Sequence, residues 1–213
     1  MKSKVFIVGH DGLIEQMYQQ EGFEITNKIE KADIVQFTGG EDVSPEIYDQ
    51  VPVKRCGIPD HDRDLFEYEV YKEARGNGQL LVGICRGGQF LHVMNGGTLW
   101  QDVNNHGRTH RAKMMTVSGG YIEIDVTSTH HQMMRMDSPE EHELIMWADR
   151  LSTYKTAYDK NNDIEWSKVN DPVDVECLIY PNKQTVCFQP HPEYVENGHP
   201  CRDYFFNMIH ELL

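Results

Sequence analysis

Leu80-Leu81-Val82-Gly83-Ile84-Cys85-Arg86-Gly87-Gly88-Gln89 decides the fold. The apolar run Leu80–Ile84 reads as a buried strand, and Phe90-Leu91-His92-Val93-Met94 continues as a helix. Strand, Gly-x-Cys-x-Gly, helix is the cysteine form of a nucleophile elbow. Small residues at 83 and 87 allow the sharp turn, and the cysteine is held strained at its tip. The following helix directs free N–H groups and the positive end of its dipole at the sulfur, which favours thiolate.

A cysteine so placed needs a base. Val186-Cys187-Phe188-Gln189-Pro190-His191-Pro192-Glu193 supplies one. An apolar strand leads into His191. Pro192 is expected to keep the chain extended, so that Glu193, two residues on, lies on the same side and orients the imidazole. Nucleophile, base and orienter then follow in the order Cys85, His191, Glu193.

Working outward, strands and helices alternate through the first half: Val5–Val8, helix 13–20 ended near Gly22, strand 33–37, helix 61–74 with Gly76 past its end, and strand 80–84. This order predicts α/β architecture: a flavodoxin-like three-layer α/β/α sandwich around a mostly parallel sheet. The second half adds strands 114–117 and 121–126 as a hairpin, then 144–147, 175–180 and 185–188. These predict a small antiparallel accessory sheet, and residues 202–213 a closing amphipathic helix. Residues 1–213 read as a single domain, with polar 160–163 as its most mobile loop. The paired glycines Gly39-Gly40 follow the second strand, at the sheet edge where open α/β folds place ligands.

Composition narrows the function classes. Lys and Arg number 20 against 34 Asp and Glu, a net charge of −14, which disfavours nucleic acid and anionic membranes as partners. Five cysteines without paired spacing suit a reducing compartment. The first apolar run is too short for a signal peptide and no stretch has the length of a membrane span, so a cytoplasmic location is expected.

Six segments in order carry a family resemblance. Gly83–Gln89 with His191-Pro192-Glu193 resembles the class I glutamine amidotransferase superfamily. Thr38-Gly39-Gly40-Glu41-Asp42-Val43-Ser44-Pro45-Glu46-Ile47-Tyr48, Arg63-Asp64-Leu65-Phe66-Glu67, Gly96-Gly97-Thr98-Leu99-Trp100-Gln101-Asp102 and Ser128-Thr129-His130-His131-Gln132 resemble its γ-glutamyl-γ-aminobutyrate hydrolase-like (peptidase C26) branch. The resemblance implies an amidohydrolase that opens a γ-glutamyl amide through a γ-glutamyl thioester on Cys85, releases glutamate, and needs no cofactor. It implies an oxyanion hole from the backbone N–H groups of Gly40 (or Gly39) and Arg86, where one donor typically supplies about 2.7–4 kcal/mol. It places Gln89, Gly39, Ser128, Thr129 and His130 around the substrate. Two other roles compete: a glutaminase subunit passing ammonia to a synthase or ligase partner, and a non-catalytic binding module, which the intact Cys-His-Glu set disfavours.

The blander readings apply elsewhere. Cys56, Cys177, Cys187 and Cys201 read as ordinary free thiols. Asp42, Pro45 and Tyr48 read as loop-shaping residues, and Arg63, Asp64 and Glu67 as a helix start with an ion pair. His106 and His110 have the i,i+4 spacing of two metal ligands on a helix. Asn104, Asn105 and Gly107 argue for a loop there and no cysteine joins them, so no metal is expected.

Overall fold

The computed structural model describes residues 2–116, 118–149, 151–158, 164–167 and 173–213. Val117 and the polar stretch 160–163 lie outside the described residues. The chain runs β1 (Lys4–Val8), α1 (Gly12–Gln20), β2 (Glu24–Ile25), β3 (Ile34–Phe37), α2 (His61–Asn77), β4 (Leu80–Ile84), α3 (Arg86–Met94), β5 (Leu99–Trp100), β6 (Asp102–Val103), β7 (His110–Met115) and β8 (Tyr121–Val126). It continues through β9 (Met133–Met134), β10 (Glu143–Asp149), β11 (Lys155–Tyr158), β12 (Ile164–Ser167), β13 (Val173–Tyr180), β14 (Thr185–Phe188) and α4 (Pro200–Leu212).

Local chemistry sets the helix ends. The Asp11 carboxylate accepts from the N–H groups of Leu13 and Ile14 at 3.0 and 3.1 Å and opens α1. Asp60 does the same for α2 through Arg63 N. That helix runs past Gly76 and stops at Gly78, whose φ of +69° is the left-handed cap. The choice between the two glycines is made by backbone geometry that composition does not carry.

The main sheet has nine strands in the order β2-β1-β3-β4-β14-β13-β10-β7-β8. The first five are mutually parallel, and the remaining four continue the same sheet antiparallel. Small antiparallel sheets β12-β11-β6 and β5-β9 lie beside it. Alternation along β4 builds the two cores. Leu80, Val82 and Ile84 pack with α1 and with Phe205, Phe206 and Ile209 of α4. Leu81 packs on the opposite face with Ala74 of α2 and Phe90 and Leu91 of α3. Helices thus cover both faces of an α/β sheet. Burying each such aromatic or aliphatic side chain is worth about 1.5–3 kcal/mol.

Three neighbouring parallel strands end together at one edge. Phe37 of β3 is opposite Gly83, and Phe188 of β14 is opposite Ile84. The segments that leave this edge carry Gly39-Gly40, Cys85 and His191. Residues more than a hundred positions apart in the chain are gathered by strand register alone.

The elbow itself has no room for side chains. A Cβ on Gly83 would stand 2.3 Å from the carbonyl carbon and oxygen of Gly87, and one on Gly87 would stand 2.3 Å from Phe37 O. The obstructing atoms are backbone, which cannot swing aside. Gly83→Ala is therefore expected to lower stability by about 1–3 kcal/mol or more. The check is a lower denaturant midpoint at unchanged m-value; a midpoint equal to that of the parent protein contradicts the packing.

Candidate functional site

Cys85 sits at the N-cap of α3 with φ +51° and ψ −113°, a conformation that side-chain-bearing residues rarely adopt. Its N–H donates to Phe188 O at 2.7 Å, and its C=O accepts from Gln89 N at 3.1 Å. The strained residue is thus held from the adjacent strand and from its own helix.

His191 meets it from β14. The His191 Nδ1 lies 2.6 Å from Glu193 Oε1, and Thr129 Oγ1 lies 2.9 Å from Nε2. Tyr194 stacks on the imidazole with centroids 4.5 Å apart and planes 3° from parallel. The backbone is fixed as well, since Thr127 Oγ1 donates to His191 O and accepts from His191 N. The expectation of an extended 191–193 segment is corrected: residues 192–194 form a 3₁₀ turn with Pro192 at its start, and it is the turn that brings Glu193 back to the ring. Burial pulls the imidazole pKa down, but hydrogen bonds to Cys85 and Glu193 outweigh it and raise the value to about 10.

Cys85, His191 and Tyr194 line a cavity of about 230 Å³ with Gly40, Gln89, Thr129 and His130. Gln89 is fixed by donating to Gln132 O at 2.8 Å and to Gln189 Oε1 at 3.1 Å. Burial pushes His130 down to about 3, so it is neutral on the wall. Ser128 is not among the cavity-lining residues. Its hydroxyl turns away and donates to His106 O at 2.5 Å, because a buried hydroxyl takes the nearest carbonyl. Gly39 lies between the partners rather than on the wall: a Cβ there would stand 3.3 Å from His191 Cε1 and 3.7 Å from Cys85 Cβ.

Sequence reading missed the support beneath Gly39-Gly40. Arg63 of α2 donates to Thr38 O at 3.1 Å, to Gly39 O at 2.9 Å and to Glu67 at 2.8 Å. In a trans peptide the carbonyl and the following N–H point opposite ways. Holding Gly39 O thus turns the Gly40 N–H away from Arg63. Gly40 has φ +140°, and a Cβ there would strike the Arg63 guanidinium. The Arg86 side chain, meanwhile, is buried and ion-paired to both Asp64 and Glu67. Asp64 also accepts from Ser44 N at 3.1 Å. The residues were present in three segments, around Thr38, Arg63 and Arg86; only Arg63–Glu67 is a local i,i+4 pair, and the other pairings span 19 to 25 residues with no local periodicity.

Asp42 and His131 also face the cavity. Asp42 accepts from Gly57 N at 2.7 Å and lies 2.9 Å from His131 Nε2. Its carboxylate raises the His131 imidazole above its ordinary pKa against the effect of partial burial. The loop-shaping role expected for Asp42 is therefore joined by a place on the wall. Tyr48 is buried with Val43 beneath the loop.

Among the described residues, no helix is long and apolar enough to cross a membrane. Comparison with known proteins adds three findings. The family model for peptidase C26 matches residues 12–148, which include the elbow and end before His191. A glutamine amidotransferase-like protein, the YvdE homolog of Lactococcus lactis subsp. cremoris, is 37% identical over 97 residues, 46% of this chain and 50% of that one. This chain spans half or less of the length of the relatives it matches. Among solved structures, a glutamine amidotransferase of Thermotoga maritima superimposes with a TM-score of 0.60 at 12% identity, covering 91% of this chain and 77% of that one. A glutamine amidotransferase of Methylobacillus flagellatus gives 0.55 at 15%, covering 99% and 76%. At these identities the structural likeness speaks for the fold.

Proposed function

The chain belongs to the peptidase C26 family, of the class I glutamine amidotransferase-like superfamily, and on that premise we propose that it is a cysteine amidohydrolase of γ-glutamyl amides. The observation that carries the reading is Cys85 and His191 on one cavity, with Glu193 hydrogen-bonded to the far side of the imidazole. The Cys85 sulfur adds to the γ-carbonyl carbon, and the C=O π electrons move to oxygen. The backbone N–H groups of Gly40 and Arg86 receive that oxyanion. The C–N bond breaks as the tetrahedral species collapses, and His191 gives its proton to the departing amine. Water then attacks the γ-glutamyl thioester and passes a proton to His191; the C–S bond breaks, glutamate leaves and the thiol is restored.

The cavity wall supports a glutamyl head group. Asp42 offers a carboxylate to an α-ammonium, and the imidazole of His131, its pKa raised, offers a donor to an α-carboxylate. Gln89 and Gln132 offer neutral amides between them. The catalytic residues proposed are Cys85, His191 and Glu193, with Gly39, Thr129 and His130 shaping the pocket and Ser128 supporting it through His106. A screen of γ-glutamyl amides, glutamine included, by mass spectrometry tests the reading: Cys85-dependent glutamate release is expected. Release from none of them, alone or with candidate synthases, refutes it. Release only with a synthase present assigns the chain to ammonia delivery instead.

Glu193 gives a prediction with a defined sign. Glu193→Gln keeps the side-chain shape and removes the charge that helps hold the His191 pKa near 10. The imidazolium loses stabilisation, so its pKa falls. The alkaline limb of kcat/KM is expected to move toward neutral pH, with a loss at the optimum of roughly 10²–10⁴. An alkaline limb that stays in place removes Glu193 from this role.

A further inference from the structure

We infer that His106, His110 and Glu176 form a binding site for one divalent transition-metal ion of the zinc class, behind the wall of the candidate site. His106 precedes β7, His110 opens it and Glu176 lies in β13. Each offers a ligand atom, and these atoms all lie within 4.8 Å of one another. Glu176 Oε1 is 2.8 Å from His110 Nε2 and 3.3 Å from His106 Nδ1. His106 and Glu176 are fully buried.

The nitrogens on the far sides of the rings make the stronger point. His106 Nε2 is 3.2 Å from Asp174 Oδ2, and His110 Nδ1 is 3.2 Å from Arg108 O. Asp174 is in turn fixed by Ser152 N at 2.6 Å and Lys155 Nζ at 2.9 Å. An imidazole that donates outward to a carboxylate or a carbonyl keeps its inner lone pair for a metal, and such outer partners accompany metal-bound histidines. Of the inner atoms, His110 Nε2 and Glu176 Oε1 share a hydrogen bond that an ion would replace, whereas His106 Nδ1 and Glu176 Oε2 are buried without one. His130 adds a third buried imidazole with an unpartnered Nε2; its ring is 4.7 Å from His106, and its own Nδ1 is turned outward to Gln132 O at 2.8 Å.

Two imidazole nitrogens and one carboxylate suit zinc and its neighbours better than calcium or magnesium, which favour oxygen ligands. The ion would bind the 106–110 segment to β13. Through the Ser128–His106 hydrogen bond and the His130 ring, it would also brace the wall that carries Thr129 against the base. The sequence alone hid this set because Glu176 lies 66 residues beyond His110 and enters from another strand.

The test uses tag-free full-length protein carrying Cys85→Ala, so that the sulfur beside His191 cannot capture the ion. After chelator treatment and Zn²⁺ addition, one equivalent of zinc is expected to survive gel filtration, with a higher Tm than the chelated protein. His110→Ala and Glu176→Gln should each weaken retention by more than the roughly 10–100-fold that Asp174→Asn costs as an outer-shell change. Zinc that fails to bind, or that binds with the same stoichiometry and Tm shift in His110→Ala, overturns the site. A proton shared among His106, Asp174 and Glu176 then accounts for the cluster. Should His110→Ala not fold, the Co²⁺-loaded parent decides. Visible tetrahedral absorption without thiolate charge-transfer bands supports the site, and thiolate bands or no absorption reject it. No readout depends on turnover, so the metal site and the amidohydrolase reading fail separately.

Discussion

Cys85→Ala is expected to lower glutamate release by on the order of 10⁴-fold or more, with circular dichroism and Tm close to those of the parent. The sulfur forms and breaks the bond to the γ-carbonyl, and no other thiol stands where it could replace it. Cys177, Cys187 and Cys201 are fully buried, and Cys56 is held by Asp42, with burial and that carboxylate pushing its thiol up to about 12. Burial also raises Cys201 to about 12 and drives Cys177 and Cys187 well above the ordinary thiol range. A glutamine-analogue electrophile should accordingly label Cys85 ahead of the other four. Cys85→Gly gives the companion result. At φ +51° a non-glycine residue stores about 1–3 kcal/mol of backbone strain, which glycine releases. The glycine variant is expected to be as inactive as alanine and at least as stable. Appreciable turnover in either variant removes Cys85 as nucleophile; a glycine variant clearly less stable than alanine removes the strain.

The elbow was legible because its rule is local. Gly83, Cys85 and Gly87 lie within one turn of chain, and the clash distances show why no Cβ fits at positions 83 and 87. The strands β1, β3, β4 and β14 were legible for the same reason, being short, mostly apolar runs, with both faces buried in β3, β4 and β14 and one face partly exposed in β1. Two-residue strands such as β5, β6 and β9 carry no period and were not foreseen. Nor was the start of β7 at His110, four positions ahead of the expected strand, since its first inward positions are His110 and Ala112, which give no alternation of large apolar residues. Glu193 was placed beside His191 by the right pair of residues and the wrong backbone, a 3₁₀ turn in place of an extended run. The parts least visible were those made by charged and polar groups meeting across elements: Arg63 on the Gly39 carbonyl, Arg86 on Asp64 and Glu67, and the Ser128 hydroxyl on the His106 carbonyl.

That charge network carries the second large effect, and it falls on stability. The Arg86 side chain is 1% exposed, and Asp64 and Glu67 are 2% exposed each. Arg86→Met would leave two buried carboxylates with Arg63 as their one cation among the described residues, and of the two, Arg63 pairs with Glu67 and not with Asp64. Removing one partner of a buried ion pair costs about 3–5 kcal/mol, because the remaining charge stays desolvated without its counterion. For a chain of this size that is a Tm decrease of roughly 6–20 °C. The loss should be reversible by subtraction: adding Asp64→Asn and Glu67→Gln to Arg86→Met removes the stranded charges and is expected to recover much of the Tm. Recovery need not restore activity. Asp64 also holds Ser44, and Glu67 holds the Arg63 that turns the Gly39–Gly40 peptide, so the triple variant should fold well with a lower kcat. A triple variant no more stable than Arg86→Met shows that the cost was lost packing around the guanidinium. A triple variant with full kcat shows that α2 does not position the oxyanion donors.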